Sequence, residues 1–375
     1  MNLRNLLVGN GLNCQFDSKS YTAKQIVLRV LKNCNREDFP TDIIVDQPYL
    51  LKEYLAHLFS NAREILTGKT DIITVSMEEK KCLAEFIGKY SSDIKHLKMT
   101  DICFEDYYLL HDLLCHTTQT TNPDQYNIRQ CMRAAYLYAI YNDGALNKLY
   151  LNYPQKLIDF LSGFDSIFTT NYDNNLESAT GKRVIHLHGQ FDCLRDVYDS
   201  ESLRNQIDDA PIKNFDMNPE YFYLYCNAIT THSGAYKELM IHQNTLANSS
   251  IDKWTEKYKT DLAAKQKIDS WLIEKNQLLK NFANAIIVKA NHPECCFSDN
   301  YHFDLFSNIS GDLEILGFSP WNDFHIFKTI NDSAVDRCIY YYHTEKRCQK
   351  ISELLPNLAA DNRLEFKSVS ELWGD

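Results

Sequence analysis

The spacing of apolar and polar positions changes several times along the chain. Residues 3–8 (Leu-Arg-Asn-Leu-Leu-Val) form a short apolar run that stops at Gly9-Asn10-Gly11, which predicts a buried strand ending in a tight loop. From about residue 22 to 159 the spacing is helical. Ile26, Val27, Val30 and Leu31 are followed by Leu50, Leu51, Tyr54, Leu55 and Leu58, then by Leu83, Phe86 and Ile87, and the pattern continues through 107–114 and 134–140. This predicts a helical insertion, 21–159, between the first strand and the second. Short strand patterns follow at 166–170, 184–188, 285–289, 313–317, 339–342 and 364–366. Between them, Trp254, Tyr258, Leu262, Ile268, Leu272 and Leu279 fall near helical spacing within 252–283, and a helix is expected to start near Asp323. Strands alternating with helices predict an α/β protein with a parallel sheet, in which ligands bind beyond the carboxyl ends of the strands.

Composition narrows the class without naming a chemistry. The 375 residues are 44% apolar and 24% charged, with no long block of like charge and no Pro/Gly/Ser-rich tract, so a disordered or collagen-like chain is excluded. A net charge of −11 argues against a surface that embraces nucleic-acid phosphates over the whole molecule, and direct nucleic-acid binding is not expected. No apolar run approaches the ~20 residues of a membrane helix, and 6–8 is too short for a signal-peptide core, so a cytoplasmic, non-membrane protein is expected. The 12 cysteines sit singly apart from Cys295-Cys296, with no C-x-x-C, which predicts free thiols and no four-cysteine zinc site.

Four short motifs carry candidate chemistry. Gly9-Asn10-Gly11, directly after a strand, would let backbone N–H groups approach a pyrophosphate; Cys14 stands where a full dinucleotide fingerprint has its third glycine, and a plain tight turn explains the pair as well. Thr169-Thr170-Asn171-Tyr172-Asp173 gathers polar groups at a strand end. They suit either capping of the next helix, with Glu177 in its first turn, or an amide and a carboxylate around the hydroxyls of a ribose. In His186-Leu187-His188-Gly189 the two imidazoles are expected on one face of a strand. That arrangement fits a metal pair helped by Asp192, core packing, or a catalytic His188 beside a glycine-opened pocket; the other ten histidines offer no matching partner motif. Gly317-Phe318-Ser319-Pro320-Trp321-Asn322-Asp323 is either a nucleotide loop or a strand–turn–helix with Asn322 or Asp323 as the cap. No Walker A loop, H-E-x-x-H, G-x-S-x-G or kinase set is present.

Taken in order, Gly9-Asn10-Gly11-Leu12-Asn13, Thr170-Asn171-Tyr172-Asp173, His188-Gly189 and Gly317-Phe318-Ser319 resemble the landmarks of the sirtuin-like family. The wording G-N-G-L-N, T-N-Y-D-N-N-L-E and H-L-H-G is similar to the AbiH-type abortive-infection branch of bacterial sirtuin-like proteins. The resemblance covers about 1–20 and 160–375. It implies a Rossmann-like, NAD-binding domain over those residues. By the resemblance, Gly9, Asn10 and Gly11 cradle the NAD phosphates, and Asn171 and Asp173 sit around the nicotinamide ribose. His188 is the catalytic imidazole, and Gly317 and Ser319 line the adenosine side. Asn13, Thr170, Tyr172 and Gly189 are implied as further NAD contacts.

Departures matter to the activity. Sirtuin deacylases have Ala where this chain has Asn10, Gln where it has Thr170, and Ile or Val where it has Tyr172, and they carry two zinc-binding cysteine pairs that this chain lacks. The expectation is therefore an NAD glycohydrolase of antiphage defence, cleaving NAD to nicotinamide and ADP-ribose with NAD as substrate and no metal. An NAD- or ADP-ribose-sensing subunit without turnover is the alternative. Since a constitutive NADase would kill its host, activity is expected to await a partner or assembly, with 22–159 and 252–283 as candidate contact segments. Systems it resembles imply a sensor or activator encoded nearby (a helicase-like ATPase, an Argonaute-like protein or a nucleotide-pyrophosphatase-like sensor) and a homo-oligomer.

Overall fold

The computed structural model of the chain describes residues 3–121, 124–193, 218–232, 234–291, 293, 301–319 and 323–373. The first half opens with β1 (Arg4–Val8), α1 (Gly11–Phe16), α2 (Ala23–Asn33), α3 (Pro48–Leu66) and α4 (Met77–Tyr90). It continues with α5 (Phe104–Thr118), α6 (Asp124–Tyr141), α7 (Gln155–Ser162), β2 (Ser166–Thr169), α8 (Asn175–Thr180) and β3 (Val184–His186). Then come α9 (Gly234–Thr260), α10 (Leu262–Trp271), α11 (Gln277–Asn291), α12 (Phe303–Ser307), β4 (Ser310–Leu316) and α13 (Phe324–Asn331). The last elements are β5 (Ala334–Tyr342), α14 (Lys346–Leu354), α15 (Pro356–Ala360), β6 (Leu364–Ser368) and α16 (Ser370–Trp373).

The described chain gathers into two compact units. One comprises Met1–Asp192, Ala228–Glu238 and His302–Asp375; the other comprises Cys193–Asn227 and Leu239–Tyr301. The helical span 21–159 belongs to the same unit as the sheet.

The six strands of the described residues are all parallel, in the order β3-β2-β1-β4-β5-β6. Alternation along each strand sends side chains to opposite faces, and both faces are buried, which is why these strands read as almost unbroken apolar runs. Leu7, Phe168, Leu313, Ile315, Cys338 and Tyr340 pack on one side against Phe306 of α12, Ile326, Phe327 and Ile330 of α13, and Ile351 and Leu358 of α14 and α15. Leu6, Val8, Ile167, Ile339 and Tyr341 pack on the other against Leu12 of α1, Leu157 and Leu161 of α7, Leu176 of α8 and Leu372 of α16. Register then levels the strand ends. Val8 pairs with both Thr169 and Leu316, and Thr169 with His186, so the chain leaves β1, β2, β3 and β4 along one edge. Strand order reverses between β1 and β4, and a parallel sheet leaves a crevice at that reversal.

Two expectations are corrected. Residues 285–289 are helical, lying within α11: Ala283 and Ile286 pack with Ile268 against Trp254, Trp271 and Phe282. A four-residue apolar run is compatible with either element, and here the burial falls at helical spacing. The strand expected over 184–188 stops at His186, with Leu187 and His188 in a turn, so strand alternation does not relate the two histidines. Among the described residues no helix is long and apolar enough to cross a membrane.

Candidate functional site

The two glycine loops at the reversal interlock. Gly9 N–H donates to Leu316 O (2.9 Å) and Gly11 N–H to Gly317 O (2.7 Å), while Leu12 N–H turns back to Gly9 O (3.1 Å). A Cβ on Gly11 would lie 2.5 Å from Gly317 O, and one on Gly317, at φ +64°, would lie 2.5 Å from Leu12 N. The glycines are thus required by the close approach of the two backbones. This corrects the expected cradle at Gly9 and Gly11, whose N–H groups are committed to the carbonyls of Leu316 and Gly317 and are not presented to a phosphate.

The loop after β2 is a network of neutral amides around one carboxylate. Thr169 Oγ1 donates to Val8 O and accepts Asn171 N–H, which turns the chain sharply at the strand end. Asp173 is buried, and both of its oxygens are engaged: Oδ2 accepts from Asn13 Nδ2 at 2.6 Å, and Oδ1 accepts Asn175 N–H (3.1 Å) and Asn175 Nδ2 (2.7 Å). Burial raises its pKa above the ordinary carboxylate value, and the bonds from Asn13 and Asn175 oppose the rise. Capping and site-building are therefore one arrangement, since Asp173 holds both the start of α8 and the amide of Asn13. Asn171 is 6% exposed, and its Oδ1 has no hydrogen-bond partner. A buried acceptor left open at a strand end suits a ligand hydroxyl or water.

The two histidines have different surroundings. His186 is held by structure on both nitrogens, Nδ1 to Asn171 O and Nε2 to Glu177 Oε1, each at 2.8 Å. A metal pair of His186 and His188 is thereby overturned, and Asp192 instead accepts from Asn174 Nδ2. His188 lies 3.1 Å, Nε2 to Nε2, from His325 in α13, and its Nε2 is 3.9 Å from Asp323 Oδ1. Gly189, at φ +79°, turns the chain directly after it. A strap then crosses this edge: Ile229 N–H donates to His188 O, Tyr172 OH donates to Ile229 O, and Arg133 donates to Ala228 O. Arg129, paired with Asp112 at 2.7 Å, also donates to Thr231 O.

The strap leads into α9 and delivers Lys237, whose side chain is 1% exposed. Its ammonium donates to Glu105 Oε1 at the start of α5 (2.7 Å) and to Asp323 Oδ1 (3.1 Å). Burial alone would lower the Lys237 pKa, but Asp323 and Glu105 outweigh it and keep the side chain charged. Burial raises Glu105 against the opposing pull of Lys237. Burial would raise Asp323 too, yet Lys237 holds it below its ordinary value. His188 is pushed well below 6.5, first by burial and then by Lys237, with Asp323 opposing, so its ring is neutral at pH 7. One ligand atom each from His188, Asp323 and His325 lies within 4.8 Å of the others, a grouping that could hold a cation.

Asn171, Asp173, His188, Glu105, Lys237 and Asp323 line one cavity of about 250 Å³. Of the residues expected from sequence it gathers Asn10, Asn13, Thr170, Asn171, Tyr172, Asp173, His188 and Ser319; Gly9, Gly11, Gly189 and Gly317 shape its backbone without lining it. Its outer wall comes from the 21–159 span, through Tyr21, Ile26, Phe104, Glu105 and Ile140. No protein-family model, curated protein or solved structure matches the chain.

Sequence reasoning missed Lys237, Glu105 and His325 and saw in Asp323 a helix cap. Asp323 does precede α13, but its side chain makes no capping bond and serves the ion pair instead. The one available signal was D-x-H at 323–325, at the end of the loop that follows a glycine-broken strand end. Pro320, Trp321 and Asn322 lie outside the described residues.

Proposed function

We propose that the chain is a Rossmann-like protein of sirtuin-like type that hydrolyses the N-glycosidic bond of NAD, and that it serves abortive-infection defence in the cytoplasm. The observation that carries this reading is the convergence of Asn171, Asp173 and His188, from the ends of two neighbouring strands, on one cavity beside the sheet's reversal point.

Breaking this bond requires little from the protein. The C1′–N bond electrons return to the nicotinamide ring, which leaves neutral, and C1′ passes through an oxocarbenium-like state before forming a bond to a water oxygen. The released water proton goes to a base. His188, neutral at pH 7, is suited to take it, a contribution typically worth ~10²–10⁴-fold. Asn171 would hold the water or the ribose hydroxyls through its open Oδ1, with its amide hydrogens supplying donors. Asp173, engaged on both oxygens, would act from behind Asn13 as a fixed negative charge near the developing cation. The rest of the dinucleotide would leave past Asn10 and Ser319, the polar residues of the two interlocked loops.

Nicotinamide release from NAD is the test, measured on the purified chain alone and with the products of neighbouring genes. Asn171→Ala and His188→Ala should each lower release by about 10²–10³-fold while the fold is retained by circular dichroism. Tight NAD or ADP-ribose binding without nicotinamide release under any of these conditions would reject turnover in favour of a sensing subunit.

A further inference from the structure

We infer that His325 and Asp323 are positioning residues that fix His188 as a single neutral tautomer, with its proton on Nε2 and the lone pair of Nδ1 left for the cavity. The inference concerns the site described above and goes beyond the reading of its activity.

The Nε2–Nε2 separation of 3.1 Å between His188 and His325 is hydrogen-bond distance. The contact requires one of the two nitrogens to carry a hydrogen and the other a lone pair. The nearby carboxylate decides which. Asp323 Oδ1 lies 3.9 Å from the same Nε2 of His188, and a negative oxygen at that range stabilises an N–H and repels a lone pair. Lys237, itself held by Glu105, keeps that oxygen in place. His188 is therefore the donor and His325 the acceptor. The remaining ring nitrogen of His188, a residue that lines the cavity, is the basic one.

The alternative occupant of this geometry is a divalent cation shared by His188, His325 and Asp323. The Lys237 ammonium argues against it. It sits 3.1 Å from Asp323 Oδ1, on the carboxylate a metal would need, and a second cation there would be repelled. The arrangement follows the general logic in which a base is oriented by a third group through its far nitrogen.

The full chain labelled with ¹⁵N-histidine tests this directly. Two-bond ¹H–¹⁵N correlation spectra at about pH 7 should show His188 as one neutral tautomer protonated at Nε2. In His325→Ala the His188 nitrogens should move toward a mixture of tautomers, and His325→Gln, whose carbonyl can still accept from Nε2–H, should restore the single form. A wild-type His188 protonated at Nδ1, or a His188 signal unchanged by His325→Ala, overturns the proposal. So does stoichiometric bound zinc, nickel or manganese in the purified chain that His325→Ala removes. Where NAD is cleaved, His325→Ala should lower kcat about 100-fold with KM within about 3-fold, and His325→Gln should recover at least tenfold of that loss. The spectra do not depend on turnover. A fixed tautomer with no NAD cleavage would refute the NADase reading alone, and cleavage with a mixed tautomer would refute this inference alone.

Discussion

The two walls of the cavity solve opposite physical problems. On the β1–β2 side, Asn13 and Asn175 surround the single carboxylate of Asp173 with neutral donors, and the charge is spread over hydrogen bonds. On the α5–α9–α13 side, Lys237, Glu105, Asp323, His188 and His325 bring three formal charges and two imidazoles together in a largely buried cluster. A neutral network tolerates loss of one member, because the remaining bonds keep the others satisfied. An ionic cluster does not, because each charge was desolvated only in the presence of its partner. The neutral wall is therefore suited to recognising an uncharged sugar, and the ionic wall to holding one imidazole in a fixed state.

The sharpest way to break this contrast is to remove the central cation. Lys237→Met leaves two buried carboxylates without their shared partner and should cost about 3–5 kcal/mol in chemical denaturation. The double variant Lys237→Met/Glu105→Gln should recover part of that loss, since one of the two stranded charges is then neutral. On the other wall, Asn13→Ala removes one donor from Asp173 and should cost only about 1–3 kcal/mol. Equal losses in Lys237→Met and Asn13→Ala would mean that the ionic cluster is solvated and that the contrast drawn here is wrong.

The hinge between the walls makes a separate, smaller demand. Gly11→Ala places a methyl 2.5 Å from Gly317 O, a contact with backbone on both sides that cannot be relieved by a side chain turning away. Forcing the β1 and β4 loops apart should cost about 1–3 kcal/mol, again read from denaturation midpoints at unchanged slope. A neutral Gly11→Ala would show that the loops are not tightly engaged, and the glycines would return to being available for a phosphate.

How much of this could be read from the chain follows the same division. The neutral wall is local. Thr170 to Asp173 are consecutive, they follow an apolar strand, and strand-end polar clusters stand out against such a run. Asn13 lies in α1, which starts three residues after β1, so parallel pairing of β1 with β2 is enough to bring it to Asp173. The ionic wall is assembled from positions 105, 188, 237, 323 and 325, which share no local pattern. Glu105 reads as an ordinary acidic residue in the first turn of α5, and Lys237 as one cation in the first turns of a long helix. Only the strap at 228–232, pinned by Tyr172, Arg129 and Arg133, carries Lys237 to the site, and nothing in the spacing announces those bonds. The same limit explains 285–289, where a short apolar run gave no basis for choosing strand over helix until its packing partners Trp254 and Trp271 were in place. For the sheet the pattern was sufficient, because strands buried on both faces leave continuous apolar runs.

Acid pH separates the walls by sign, with the smallest effect of all because nothing changes at neutrality. Burial depresses His188 below 6.5, so as pH falls through that value the unfolded chain takes up a proton that the folded chain refuses, and stability declines. Asp173 is shifted the other way. Burial raises it above 3.8, so the folded chain takes up its proton first, and the contribution of Asp173 grows as pH falls through its raised value. The difference between wild type and His188→Gln should thus open, at wild type's expense, from about pH 6.5 downward. The difference between wild type and Asp173→Asn should move in wild type's favour at lower pH. Denaturation series from about pH 7 to about pH 4 would measure both differences on one scale. Slopes of the same sign would show that one of the two groups is solvated in the folded chain. A flat His188→Gln difference in particular would place that imidazole in water and dissolve the ionic wall as a physical unit.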